Sequence, residues 1–169
     1  MWFHPRRVRT AICAVLCAPS VFASGWQAPA RTIEPSRFFQ YSNRQLQAYE
    51  GTLKARMNQY KQAAEQLGDF GNQTAWVAHR EADGLVEIHQ NWSDLMFVVS
   101  GAASLRVGGD IENPYVESPG ELRGATVRGG TVHAMREGDV VNVPAGVPHQ
   151  FLVPSGQQIT FFTMKIARP

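Results

Sequence analysis

Two hydrophobic rhythms divide the chain. Across residues 42–67, apolar side chains recur every three or four positions: Leu46, Tyr49, Leu53, Met57, Tyr60, Ala64 and Leu67. That spacing predicts an amphipathic helix with one apolar stripe. Ser42 with Gln45 predicts a capping box at its start, and Gly68 predicts its C-terminal cap. The other face carries Arg44, Glu50, Lys54 and Glu65 and reads as solvated. The helix is therefore expected to pack on the outside of the domain or on another subunit.

After Gly71 the period falls to two. Strands are expected over residues 74–80, 85–90, 95–100, 104–107, 131–136, 139–143, 149–153 and 158–166. Glycines such as Gly84, Gly101, Gly138, Gly146 and Gly156 separate most of them. Many short strands with Gly/Pro breaks and no helices between them indicate an antiparallel sandwich or barrel over residues 72–169. Residues 110–124, with Pro114 and Pro119, read as a long loop over one end of it.

The front of the chain has a different character. Arg6, Arg7 and Arg9 precede a short apolar run ending in Val21-Phe22-Ala23. This is a secretory signal pattern over residues 1–23, which places the mature protein in the periplasm or outside the cell. Residues 24–41, with Pro29 and Pro35, read as an arm. Of 16 basic and 14 acidic side chains, the leader takes three arginines and no acid, so 13 and 14 remain and the net charge moves from +2 to −1. A basic balance is then no argument for nucleic acid. Cys13 and Cys17 leave with the leader, so the mature chain has no thiol for a disulfide or a metal.

Candidate chemistry lies on the strands. In the stretch GDVVNVPAGVPH, residues 138–149, Val140, Val141 and Val143 suit a strand that Pro144 must end. Gly146 gives the turn its backbone freedom, and His149 opens the next strand at a fixed position. Glu87 and His89 alternate onto one face of another strand, and Asp94 starts the strand after it. Two imidazoles and two carboxylates (His89, His149, Glu87, Asp94) suit a divalent ion such as Mn, Fe, Co, Ni or Zn. The structural alternatives are a turn role for Asp94 and a metal-free pairing of Glu87 with a histidine. Trp92, Phe97, Met135 and Phe151 are candidate cavity walls, Trp92 as a substrate contact. Arg123 is a candidate clamp for a carboxylate or enolate substrate, with a surface ion pair to Glu121 as the plainer reading.

The chain resembles the cupin superfamily of small β-barrels. Gly138, Pro144, Gly146 and His149 match the second cupin motif, whose closing Asn is Val153 here. Against the first motif, Glu87 stands at the first His, His89 at the second, Asp94 at the Glu and Gly101 at the closing Gly. The resemblance covers residues 74–166. It implies a single all-β jelly-roll (cupin) barrel behind the helix, a metal held inside, and pairing into a homodimer. The usual three-His, one-Glu set is altered at two positions, both by residues that still ligate.

Three functions remain open at this point. One is a metal-dependent enzyme of oxygenase, isomerase or lyase type, acting on a small organic molecule with Glu87 moving a proton. Another is a non-catalytic barrel that captures a sugar or organic acid. The third is a metal-free acid/base enzyme using Glu87 and a histidine. Gly108-Gly109 and Gly129-Gly130 read as hairpin turns and not as a phosphate loop. No nucleic-acid partner is expected, and no membrane partner for the mature chain.

Overall fold

The computed structural model describes residues 38–169. One helix, α1 (Asn43–Lys54), leads into twelve strands. The first four are β1 (Gln62–Asp69), β2 (Gln73–Arg80), β3 (Val86–His89) and β4 (Trp92–Val107). Four short ones follow: β5 (Asp110–Glu112), β6 (Tyr115–Ser118), β7 (Glu121–Gly124) and β8 (Thr126–Arg128). The last are β9 (Thr131–Arg136), β10 (Val140–Val143), β11 (His149–Leu152) and β12 (Ile159–Ala167). Ten strands curl into one sheet in the order β1-β2-β12-β4-β11-β3-β7-β6, with β9 and β10 also bonded to β4. This is the antiparallel barrel that the strand pattern predicts, in the jelly-roll form that the resemblance implies. The leader and most of the arm lie outside the described residues.

The long strand β4 joins the two halves. Its first part pairs with β12 and β10, its last part with β9 and β11. Gly101 sits at the crossover with a φ of +77°. A Cβ there would lie 2.2 Å from the Gln158 carbonyl oxygen, so glycine alone fits. The sequence break at Gly101 therefore bends one strand where two were expected. Met96, Val98, Leu105, Met135, Phe151 and Phe161 are among the residues of the core enclosed by the sheet.

The helix is shorter than its sequence pattern. Ser42 and Gln45 form the expected capping box, but α1 ends at Lys54. The Asn58 side chain accepts from the backbone N–H groups of Tyr60 and Gln62, and Lys61 takes a φ of +55°. That turn breaks the helical path, and residues 62–69 pair with β2 as an edge strand. Gly68, expected as a helix cap, lies in β1 beside a register shift. The barrel thus begins at Gln62, not at residue 72. The helix packs on the outside of its own barrel, against β1, β2, β4 and β12, with Leu46 and Leu53 buried. No helix among the described residues is long and apolar enough to cross a membrane.

Residues 110–124 are not a loop. β5 pairs with β8 in a separate two-stranded sheet, and the β6–β7 hairpin extends the main sheet beside β3. Sheet pairing gives these segments backbone partners that their Pro-broken sequence does not announce.

Candidate metal centre

Strand register assembles the site. Glu87 on β3 lies opposite His149 on β11 and, on its other side, opposite Arg123 on β7. His89 lies opposite Glu121 on β7, and Asp94 on β4 opposite Lys165 on β12. The turn after β10 takes the form expected from its proline and glycine. Gly146 has a φ of +80°, and its N–H donates to the His89 carbonyl at 2.8 Å. The bond ties the segment that delivers His149 to the end of the strand that carries His89.

Three of the four expected ligands, Glu87, His89 and His149, converge on one point, and Asp94 stands beside both histidines. His89 Nε2 lies 3.5 Å from Glu87 Oε2 and 3.3 Å from Asp94 Oδ2, and His149 Nε2 lies 3.7 Å from the same Asp94 oxygen. Ligand atoms held about 2.1 Å from a first-row ion at tetrahedral angles lie about 3.4 Å apart. Glu87, His89 and His149 each offer an atom within 4.8 Å of the others. Both histidines also have the outer support a ligand needs. His149 Nδ1–H donates to the Val147 carbonyl at 3.1 Å, and His89 Nδ1 is bonded to the Glu121 carboxylate. Each Nε2 is thereby turned inward. The donor set fits a divalent ion.

Two cations also reach the cluster, and neither was anticipated in the sequence. Arg80 on β2 donates to Glu87 Oε1 at 2.6 Å, its guanidinium lying 4.8 Å from the Phe151 ring centroid. Lys165 Nζ donates to Asp94 Oδ1 at 3.0 Å and lies 2.9 Å from His89 Nε2. The available signal was alternation: Trp76, Ala78 and Arg80 share a face of β2, and Phe161, Thr163 and Lys165 share one of β12.

These charges set the protonation states. Burial pushes Glu87 up, but Arg80, His89, His149 and Arg123 prevail and hold it well below the usual carboxylate range. Burial likewise raises Asp94, and its bond to His89 and the Lys165 charge outweigh that and lower it. Burial lowers His89, yet its bonds to Asp94 and Glu87 raise it to about 9 despite the Lys165 ammonium. For His149 burial prevails over the attraction of Glu87 and Asp94, and the imidazole is pushed down.

A cavity of about 220 Å³ opens beside the cluster. Its lining mixes Arg80, Glu87, Asp94, His149 and Lys165 with Trp76, Ala78, Met96, Phe151 and Phe161. Thr163 also lines it, and its hydroxyl is the one buried side-chain polar atom without a partner among the described residues. A larger groove of about 480 Å³ on the outer face, lined by Phe39, Tyr41, Leu46, Phe97 and Phe162, holds none of this chemistry.

Three expected contacts fall elsewhere. Trp92 pairs with Ala167, two residue pairs beyond Asp94–Lys165, and does not line the cavity; Trp76 is the indole that does. Phe97 points outward, because Asp94, Met96 and Val98 take the inward positions of β4. Arg123 is spent on carboxylates: 2.9 Å from Glu117, 3.4 Å from Glu121 and 3.9 Å from Glu87. It buttresses the cluster from behind and does not line the cavity. Of the remaining candidates, Phe151 does line the cavity and Met135 is buried in the core.

No protein-family model matches the chain, and no curated protein does. Solved structures do match its fold. An uncharacterised protein with a double-stranded β-helix domain from Klebsiella pneumoniae is 16% identical, with a TM-score of 0.52, over 78% of this chain and 90% of that one. A cupin-2 domain from Rhodospirillum rubrum is 16% identical at a TM-score of 0.47, over 64% of this chain and 61% of that one. The polyketide cyclase RemF from Streptomyces resistomycificus is 14% identical at 0.46, over 64% of this chain. This chain spans 66% of the cyclase, just under two thirds of its length. The likeness to the Klebsiella protein shows the fold, a double-stranded β-helix.

Proposed function

For this double-stranded β-helix with cupin-like motifs, we propose an enzyme acting on a small organic molecule, with a divalent metal held by His89, His149, Glu87 and Asp94 inside the barrel. The observation that carries the reading is the donor geometry: Glu87, His89 and His149 each offer an atom within 4.8 Å of the others, Asp94 Oδ2 lies 3.3 and 3.7 Å from the two imidazoles, and both outer imidazole nitrogens are held by acceptors. When bound, the ion supplies a Lewis acid that polarises a substrate oxygen. The chain's own residues do the rest. Arg80 keeps Glu87 ionised as a ligand, Glu121 orients His89, and the apolar side chains of the cavity limit the water around the donors. Because His89 is raised to about 9, ion uptake releases its proton.

The test is metal content. Mature protein purified without a histidine tag and offered Mn, Fe, Co, Ni or Zn is expected to hold about one equivalent. His89→Ala and His149→Ala are expected to lose it. Absence of metal under every loading condition would sink the reading.

A second reading rests on the two cations. Arg80 and Lys165 already neutralise Glu87 and Asp94, so the cluster is charge-balanced by the chain alone. In a metal-free site, His149 is the base, its neutral Nε2 directed at the cavity, and Lys165 steadies a developing oxyanion. Glu87, held ionised by Arg80, is a weaker base than this histidine. Export of the mature chain, read from residues 1–23, is part of the proposal, and N-terminal sequencing of the periplasmic protein checks it.

A further inference from the structure

We propose that the cavity binds a single-ring organic carboxylate, its anionic oxygens seated between Lys165 Nζ and Thr163 Oγ1 and its ring against Trp76 and Phe161. The inference deepens the metal reading and rests on it for its charge argument.

Three observations converge. The first is the unpartnered hydroxyl. Thr163 is 6% exposed, lines the cavity, and its Oγ1 has no hydrogen-bond partner. A buried hydroxyl left unpaired is costly, and a ligand oxygen is the natural group to complete it. The second is charge. Lys165 lies two residues further along the same face of β12, its side chain 26% exposed. Arg80 and Lys165 balance Glu87 and Asp94, while Arg123 and Glu121 pair behind them. A divalent ion on these donors leaves the pocket two positive charges in excess. It also takes the lone pair of His89 Nε2 away from Lys165, whose ammonium keeps Asp94 Oδ1 at 3.0 Å and has N–H groups left for the cavity. A carboxylate restores both the balance and the partner.

The third observation is shape. The apolar lining is Trp76, Met96, Phe151 and Phe161, with Phe151 and Phe161 stacked at 4.7 Å between centroids. Flat apolar walls favour a ring. At about 220 Å³ the cavity is below the about 300–1,000 Å³ range of sites for drug-sized ligands, so the ring is single.

Benzoate and its neutral isostere benzamide are the probes, titrated by calorimetry into metal-loaded and chelator-treated protein whose metal content is measured on the same samples. The loaded protein is expected to bind benzoate about tenfold more tightly than benzamide or better. Lys165→Met, or Lys165→Gln if the methionine variant is unstable, is expected to remove that preference without weakening benzamide. Thr163→Val, which keeps the side-chain shape, is expected to weaken benzoate severalfold with no loss of melting temperature. Equal affinity for the two probes, no binding of either, or a preference unchanged in the Lys165 variants overturns the proposal. A benzoate preference that depends on Lys165 in protein that takes up no metal upholds the anion seat and overturns the metal centre. Stoichiometric metal without any benzoate preference overturns the anion seat alone.

Discussion

Glu87 illustrates how much one residue's behaviour depends on its strand neighbours. Its carboxylate is buried, which by itself favours the neutral acid. It nevertheless stays ionised because Arg80 donates to it at 2.6 Å and His149 and Arg123 flank it by register. Removing one partner of a buried pair costs more than the pair itself contributes, because the remaining charge is stranded. Arg80→Met in chelator-treated protein is therefore expected to lose about 3 kcal/mol of stability in urea denaturation at neutral pH. The double variant Arg80→Met/Glu87→Gln is expected to regain most of it. A single-variant loss below about 1 kcal/mol would mean that Glu87 is solvated and the pair behaves as a surface contact.

At the scale of elements, Glu50 fastens α1 to the barrel. Its carboxylate accepts from Ser100 Oγ on β4 at 2.7 Å and from Gln158 Nε2 beside β12 at 2.8 Å, with Lys54 Nζ 3.1 Å away. Burial pushes Glu50 up, but these donors prevail and lower it to about 2. A carboxyl whose folded value lies below its unfolded value adds stability above the unfolded value, and that stability is lost as pH falls through the folded one. The window here runs from about 4.5 down to about 2. Glu50→Gln is expected to cost about 1 kcal/mol at pH 7, a modest figure because the side chain is partly exposed. The difference from the wild-type protein should shrink below pH 4.5, fall to a small remainder near pH 2.5 and vanish below about pH 2. Urea titrations at pH 7, 4 and 2.5 check it; a difference that does not vary with pH would place the effect in packing and not in the charge. The same element shows why the helix was read too long. Residues 62–69 carry good helix formers at helical spacing, but pairing with β2 supplies a full set of backbone partners and overrides local propensity.

For the molecule as a whole, β4 decides the geometry, since both sheet halves hang on it. Gly101→Ala adds a Cβ at a positive φ and within 2.2 Å of the Gln158 carbonyl oxygen. A loss of about 3 kcal/mol or more is expected, read as a fall in urea midpoint. Gly138→Ala is the control: its φ is also positive, but a Cβ there meets nothing within 4 Å, so its loss should be about 1 kcal/mol. Equal losses at the two glycines would refute a role for Gly101 beyond its dihedral angle. The sequence by itself determined the all-β class, most strand positions and the turn that delivers His149, and it picked out Glu87, His89, Asp94 and His149 as candidate donors. It could do so because alternation, Pro and Gly act locally and leave a local trace. Only the tertiary structure decided that Arg80 and Lys165 face those donors, that Trp76 and not Trp92 walls the cavity, and that residues 62–69 and 110–124 join sheets. Those facts depend on which strand lies beside which and in what register, and pairing between segments as distant as Asp94 and Lys165 leaves no mark in either segment alone.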